Sequence, residues 1–275
     1  AKGSAGMQER HYKKISSREN PAFRKLERIR KAPQRAEPPV LFLEGLRLCA
    51  DAVSSGVEVQ QLILSEQAVK RPEIMPLVDL IGPEPEAFVL SDHLFARLAA
   101  TAEPQGVALL CKPPLISTAD APASADALYL VLEAVSDPGN VGTLIRTADA
   151  FAFSAVLILP DTASPFGDKA VRSSMGSCFH IPVISLDSIS ELRSYLGQAD
   201  LALYAADLAG SSLHSDPFNR PGALLIGNEA HGISEAARRA CDLLVTIPMP
   251  GQAESLNAAA AGAVLSYSLR KAFPL

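Results

Sequence analysis

Three stretches of this 275-residue chain combine turn-forming residues with polar side chains at spacings that suit chemistry on a bound small molecule. The first, D-P-G-N-V-G-T-L-I-R-T-A-D-A from Asp137 to Ala150, follows an apolar run from Leu128 to Glu133. Pro138 and Gly139 make a turn, Gly142 permits a close backbone approach, and a helix is expected to begin near Thr143. Asn140 and Arg146 then flank the helix start, with Arg146 on the first turn or just beyond, able to project towards the strand end. Taken alone, the pair reads equally well as a turn asparagine and a solvated helix arginine.

The second stretch, G-N-E-A-H-G-I-S from Gly227 to Ser234, follows the run Ala223 to Ile226. Two glycines enclosing an acid directly after a buried strand suggest backbone passing close to a ligand, with Glu229 as an acceptor. Ser234 is expected to cap the next helix, and His231 reads as a surface loop histidine in preference to a general base. The third stretch, I-P-M-P-G-Q-A-E-S-L-N from Ile247 to Asn257, holds Pro248 and Pro250. They keep the loop extended and remove two backbone donors, leaving the carbonyls of Ile247 and Met249 to accept from a ligand amino group such as an adenine edge. Ser255, Leu256 and Asn257 then open a helix of small residues, Ala258 to Ala263. No phosphate-binding loop, dinucleotide glycine motif, metalloprotease helix or nucleophile elbow occurs, and the four cysteines lie more than sixty residues apart, so kinase, dehydrogenase, metalloenzyme and serine hydrolase readings lose ground.

These loops need a scaffold that presents strand ends. From Ala127 onward, apolar runs at Leu128 to Leu132, Ala155 to Leu159, Ile181 to Ile184, Leu201 to Ala205, Ala223 to Ile226 and Leu243 to Ile247 alternate with helical patterns. This predicts an α/β fold with a largely parallel sheet, whose ligands bind beyond the carboxyl ends of the strands. A smaller α/β unit is expected over 41–111, with Ser91 capping one of its helices. Residues 112–126, rich in Pro, Ser, Ala and Asp, read as a linker, and 127–275 as the catalytic domain. The absence of a long apolar stretch or a secretory pattern predicts a cytoplasmic protein without membrane contact.

Charge is divided unevenly. Residues 1–40 carry 11 Lys+Arg against 4 Asp+Glu, net +7, whereas residues 41–275 carry 14 against 26, net −12. A-K-G-S-A-G before Met7 reads as a tag remnant. The remainder of 1–40, from Arg10 to Arg35, reads as a basic arm that neutralises RNA phosphates and adds affinity without fold stability, or as an ordinary solvated helix.

Together the three loops resemble the motifs of the SpoU/TrmH-like class of the SPOUT methyltransferase superfamily. Its N-x-G-x-x-x-R-x-A pattern stands here as Asn140, Gly142, Arg146 and Ala148, its G-N-E-x-x-G as Gly227 to Gly232, and its I-P-M…S-L-N-x-x-x-A as Ile247 to Ala261, with Ala230 where many members place glycine. E-G-L-R-L from Glu44 and T-A-E-P-Q-G-V from Thr101 resemble the family's RNA-binding substrate domain, and I-S-S-R-E-N-P in the arm resembles a start common among its ribosomal-RNA members. The resemblance implies a C-terminal trefoil knot, a homodimer, and S-adenosylmethionine held by Gly227, Ile247, Met249 and Leu256. It implies methyl transfer to a ribose 2'-hydroxyl of RNA, ribosomal RNA first, with no metal. Arg146 would activate the hydroxyl while Asn140, Glu229, Ser255 and Asn257 position it and the substrate. The alternatives are a tRNA 2'-O-methyltransferase, a noncatalytic RNA-binding protein and a base N-methyltransferase.

Overall fold

In a computed structural model, residues 11–33 and 36–275 are described, and the chain divides into two compact units, 1–114 and 115–275. Arg10, Arg35 and the tag-like start lie outside the described residues. In the first unit the elements are β1 (Tyr12–Ile15), α1 (Pro21–Lys31), β2 (Leu41–Glu44), α2 (Leu46–Ser54), β3 (Val59–Ser65), α3 (Met75–Ile81), β4 (Glu86–Leu90), α4 (Asp92–Leu98) and β5 (Val107–Cys111). They form a five-stranded sheet of order β1-β4-β3-β5-β2, parallel through β1, β4 and β3 and antiparallel at β5.

The stretch expected as an arm is corrected here, because it builds part of this sheet. β1 pairs with β4, and Asn20 caps α1 by accepting from the Ala22 N–H at 2.9 Å, just ahead of Pro21 at the first helical position. Phe23 and Leu26 on one face of α1 join Ile15, Phe42, Ile63 and Phe95 in a common core. Ser91 does stand at the start of α4, but its hydroxyl makes no capping bond and is buried without a partner among the described residues.

The second unit contains β6 (Leu115–Ile116), β7 (Tyr129–Leu132), α5 (Pro138–Ala150), β8 (Ala155–Ile158), α6 (Asp168–Ser174), β9 (Val183–Ser185), α7 (Ile189–Gly197), β10 (Ala202–Ser212), β11 (Gly222–Ile226), α8 (Glu235–Ala240), β12 (Leu243–Thr246) and α9 (Ala258–Ala272). All recorded pairings in its seven-stranded sheet, β12-β10-β11-β7-β8-β9-β6, are parallel. β7, β8 and β11 are buried at every position, as strands covered on both faces must be. Leu115 and Ile116, from the stretch expected as a linker, pair with β9 at one edge.

Strand order reverses between β7, whose successors lie on one side, and β11 on the other. Ligands of open parallel sheets bind in the crevice such a reversal opens. α5 packs against α6 through Gly142, where an added methyl would strike the Ala170 carbonyl and the Ser174 N–H. The close approach expected at this glycine is therefore made to a neighbouring helix.

Because Phe23 is fully buried, Phe23→Ala should lower stability by about 3–5 kcal/mol, whereas Lys25→Ala on the exposed face of the same helix should change it by no more than about 0.5 kcal/mol. Urea unfolding of the two variants checks this; equal small effects would contradict a structural α1.

Candidate active site at the strand ends

The loops after β7 and β11 are joined by one carboxylate. Glu229 Oε2 accepts from the Ser136 N–H at 3.1 Å and the Ser136 hydroxyl at 2.9 Å, while Oε1 accepts from the Asp137 N–H at 3.2 Å and Asn140 Nδ2 at 2.9 Å. Partial burial would raise the Glu229 pKa, but the hydrogen bonds from Asn140 and Ser136 outweigh it and hold the pKa at about 2. At neutral pH Glu229 is a saturated anion, suited to anchoring and not to taking a proton.

A third segment joins through amides. Asn257 caps α9, its Oδ1 accepting from the Ala259 and Ala260 N–H groups at 2.9 and 3.3 Å, and its Nδ2 donates to Asn140 Oδ1 at 3.1 Å. The cap fixes which way the Asn257 amide faces, and Glu229 fixes Asn140 in the matching sense. Each amide retains one N–H beyond its recorded bond.

The turn preceding Asn140 is built differently from the sequence expectation. α5 begins at Pro138 rather than near Thr143, with Asp137 as its cap: Asp137 Oδ1 accepts from the Gly139 N–H at 2.8 Å and from Lys169 Nζ at 2.6 Å. The bond from Lys169, then that from Gly139, holds the Asp137 carboxyl below its ordinary pKa. Arg146 consequently lies on the third turn of α5, about 9 Å along the axis from Asn140. It is exposed and makes no hydrogen bond or ion pair among the described residues.

Beside this network a cleft of about 140 Å³ opens. Gly227, Ile247, Met249, Leu256, Ser255 and Glu229 all line it, whereas Asn140, Asn257 and Arg146 do not. No hydrogen bond is recorded among the described residues for the backbone of Met249 or Leu256, and the two flanking prolines offer no donor, so the cleft wall carries open acceptors. Gly227 is needed for a reason other than a ligand: a methyl there would come within 2.5 Å of the Gly232 backbone, where Asn228 and Gly232 close the loop by mutual bonds of 2.9 Å.

Sequence reading missed the wall opposite. Ala206, Asp207 and Leu208 line the cleft from a bulge in β10 between Ala206 and Ser211. Asp207 accepts from the Ala209 N–H at 2.9 Å and pairs with Arg238 at 2.5 Å, pinning the bulge to α8. D-L-A-G from Asp207, one residue beyond the run Leu201 to Ala205, was the available signal. It went unread because β10 continues after the bulge, so this is an interruption within a strand and carries no loop composition. Below the site, Ser234 caps α8 as expected and is itself held by the buried Glu133 at the end of β7, at 2.6 Å through its hydroxyl.

Comparison with known proteins matches this arrangement to a family. The model described as the SpoU rRNA methylase family matches residues 127–267, and the MRM3-like substrate binding domain matches residues 20–109. The 23S rRNA (guanosine(2553)-2'-O)-methyltransferase RlmP of Bacillus subtilis is 31% identical over 94% of this chain and 99% of its own length. A 23S rRNA (uridine(2479)-2'-O)-methyltransferase of Streptomyces viridochromogenes is 32% identical over 81% of this chain and 79% of its own. Among solved structures, an AdoMet-bound rRNA methyltransferase from Sinorhizobium meliloti superimposes with a TM-score of 0.84 at 27% identity, covering 94% of this chain and 98% of that one. The AviRb SpoU methyltransferase of Streptomyces viridochromogenes in complex with AdoMet gives 0.82 at 28% identity, covering 92% and 97%. Fold, loop order and sequence identity along nearly its whole length agree, and the chain belongs to the SpoU rRNA methylase family.

Proposed function

We propose that the protein transfers the methyl group of S-adenosylmethionine to a ribose 2'-hydroxyl of ribosomal RNA. The observation that carries this reading is the hydrogen-bonded chain Glu229–Asn140–Asn257 standing beside the cleft lined by Gly227, Ile247, Met249 and Leu256. Relatives bearing that activity in their names, and AdoMet in two superimposable structures, support the same choice.

The cleft fits the cofactor through the open backbone acceptors near Met249, for the adenine amino group, and through the apolar side chains of Ile247 and Leu256. The bound cofactor supplies a sulfonium methyl that is already electrophilic, leaving alignment and activation of the hydroxyl to the protein. Asn140 and Asn257 offer their remaining N–H groups and Ser255 its unpaired hydroxyl to hold the ribose. Glu229, ionised and fully engaged, keeps Asn140 in place. Arg146, a planar cation with five donors, holds an adjacent phosphate and stabilises negative charge developing on the ribose oxygen. Its freedom from partners among the described residues suits a side chain that is recruited by the substrate.

In this reading the first unit engages substrate RNA, the second unit carries the chemistry, and the protein works in the cytoplasm. The C-terminal segment forms the trefoil knot that the family resemblance implies. A homodimer is supported by α9, which leaves Val264 and Tyr267 42% and 57% exposed on its outward face.

Arg146→Ala should keep S-adenosylmethionine affinity within a fewfold yet slow single-turnover methyl transfer by roughly 10²-fold or more, and Arg146→Lys should rescue only partly. Near-normal transfer by the alanine variant would sink the proposed role. Because the folded Glu229 pKa is depressed, its stabilising contribution is complete above its ordinary value near 4.5 and is lost as pH falls towards about 2. The difference in melting temperature between wild type and Glu229→Gln should therefore be steady from about pH 8 to 5 and shrink below about pH 4. A difference that grows on acidification would contradict the anchoring carboxylate.

A further inference from the structure

α1 places four of its basic residues on one side. Phe23 and Leu26 face the core of the first unit, while Arg24, Lys25, Arg28 and Lys31 are exposed within about 120° of one another on the opposite face. Arg24 is paired with Glu19, but Lys25 and Arg28 make no hydrogen bond or ion pair among the described residues. Both line a groove of about 630 Å³ whose floor is apolar, formed by Ile29, Val40 and Leu110. Gln60 and Gln61 face the same groove from β3. Gln61 donates to Glu86 at 2.9 Å, whereas the half-buried Gln60 amide has no recorded partner among the described residues.

A cationic rim, an apolar floor and a half-buried amide are together the chemistry of a single-stranded nucleotide: phosphate at the rim, base face on the floor, base edge at the amide. A peptide partner would need no such combination, and an acidic small molecule would leave the floor unused. We infer that this groove in the first unit is a docking site for an unpaired nucleotide of the RNA substrate, with Lys25 and Arg28 holding the backbone phosphate and Gln60 contacting the base. The inference rests on the RNA reading proposed above and adds a site within the first unit, separate from the cleft at the strand ends. Glu37, also at the groove, favours a base that presents an amino group over uridine.

The full-length protein is titrated into a fluorescently labelled unstructured RNA 12-mer containing cytidine and adenine, at several salt concentrations, alongside calorimetric titration of S-adenosylmethionine. In Lys25→Ala/Arg28→Ala the slope of log K against log salt should fall by about 1.4, two single-strand phosphate contacts, with affinity at low salt down roughly tenfold and cofactor affinity unchanged. Gln60→Leu should keep the slope while reducing the preference for the mixed 12-mer over an oligouridine 12-mer. Both changes lie on exposed or half-buried positions outside the core, and circular dichroism checks that the variants remain folded. If wild type binds RNA and the double variant matches it in slope and affinity, the groove proposal is overturned alone. If wild type binds neither this RNA nor ribosomal RNA, the RNA reading falls and takes the groove with it.

Discussion

The carboxylate of Glu229 accepts from two backbone N–H groups, a hydroxyl and an amide, and through them it locks the loop after β11 to the turn that starts α5. These segments lie 89 to 93 residues apart in sequence and meet only because β7 and β11 are neighbours in the sheet. Crowded with donors, the carboxylate stays ionised at neutral pH. The orientation of Asn140 follows from it, and Asn140 in turn meets an Asn257 whose direction is set by the first turn of α9. One anion and one helix end thus orient two amides from opposite sides, which is the preorganisation that positioning chemistry requires.

Close packing supports this arrangement from beneath. Gly142 lets α5 lie against α6, Gly262 lets α9 approach Leu144 of α5, and Gly227 lets the acid-bearing loop close on itself. None of these glycines needs a ligand to explain it. Arg146 stands apart from the network, exposed and unpaired among the described residues, so the cation in the proposed reaction is the least fixed of its participants. That division suits a site where the cofactor surface is prebuilt and the contact to a polyanion forms on binding.

The parallel sheet was legible because its strands are short apolar runs separated by helical periodicity, and the three loops stood out because Pro, Gly and Asn interrupt those runs. Less legible was the start of α5: Pro138 and Gly139 read as a turn, yet a proline is at home at the first helical position once Asp137 caps it, and that cap depends on Lys169 from another helix. The wall formed by Ala206 to Leu208 was hidden because a bulge leaves no mark when the strand resumes beyond it. β1 and α1 were hidden by charge: eleven basic residues in forty mask the spacing of Ile15, Phe23 and Leu26, the residues that anchor the segment in the core. Glu229 was singled out as an acceptor for a ligand, whereas its acceptor capacity is spent within the protein.

The central claim is that the methyl group is delivered to a ribose oxygen, and the chemical position of the product decides it. Ribosomal RNA incubated with the protein and methyl-labelled S-adenosylmethionine, then hydrolysed with alkali, should release the label in an alkali-stable dinucleotide, because a methylated 2'-oxygen cannot attack its neighbouring phosphate. Label recovered in ordinary mononucleotides, carried on the base, would contradict the account.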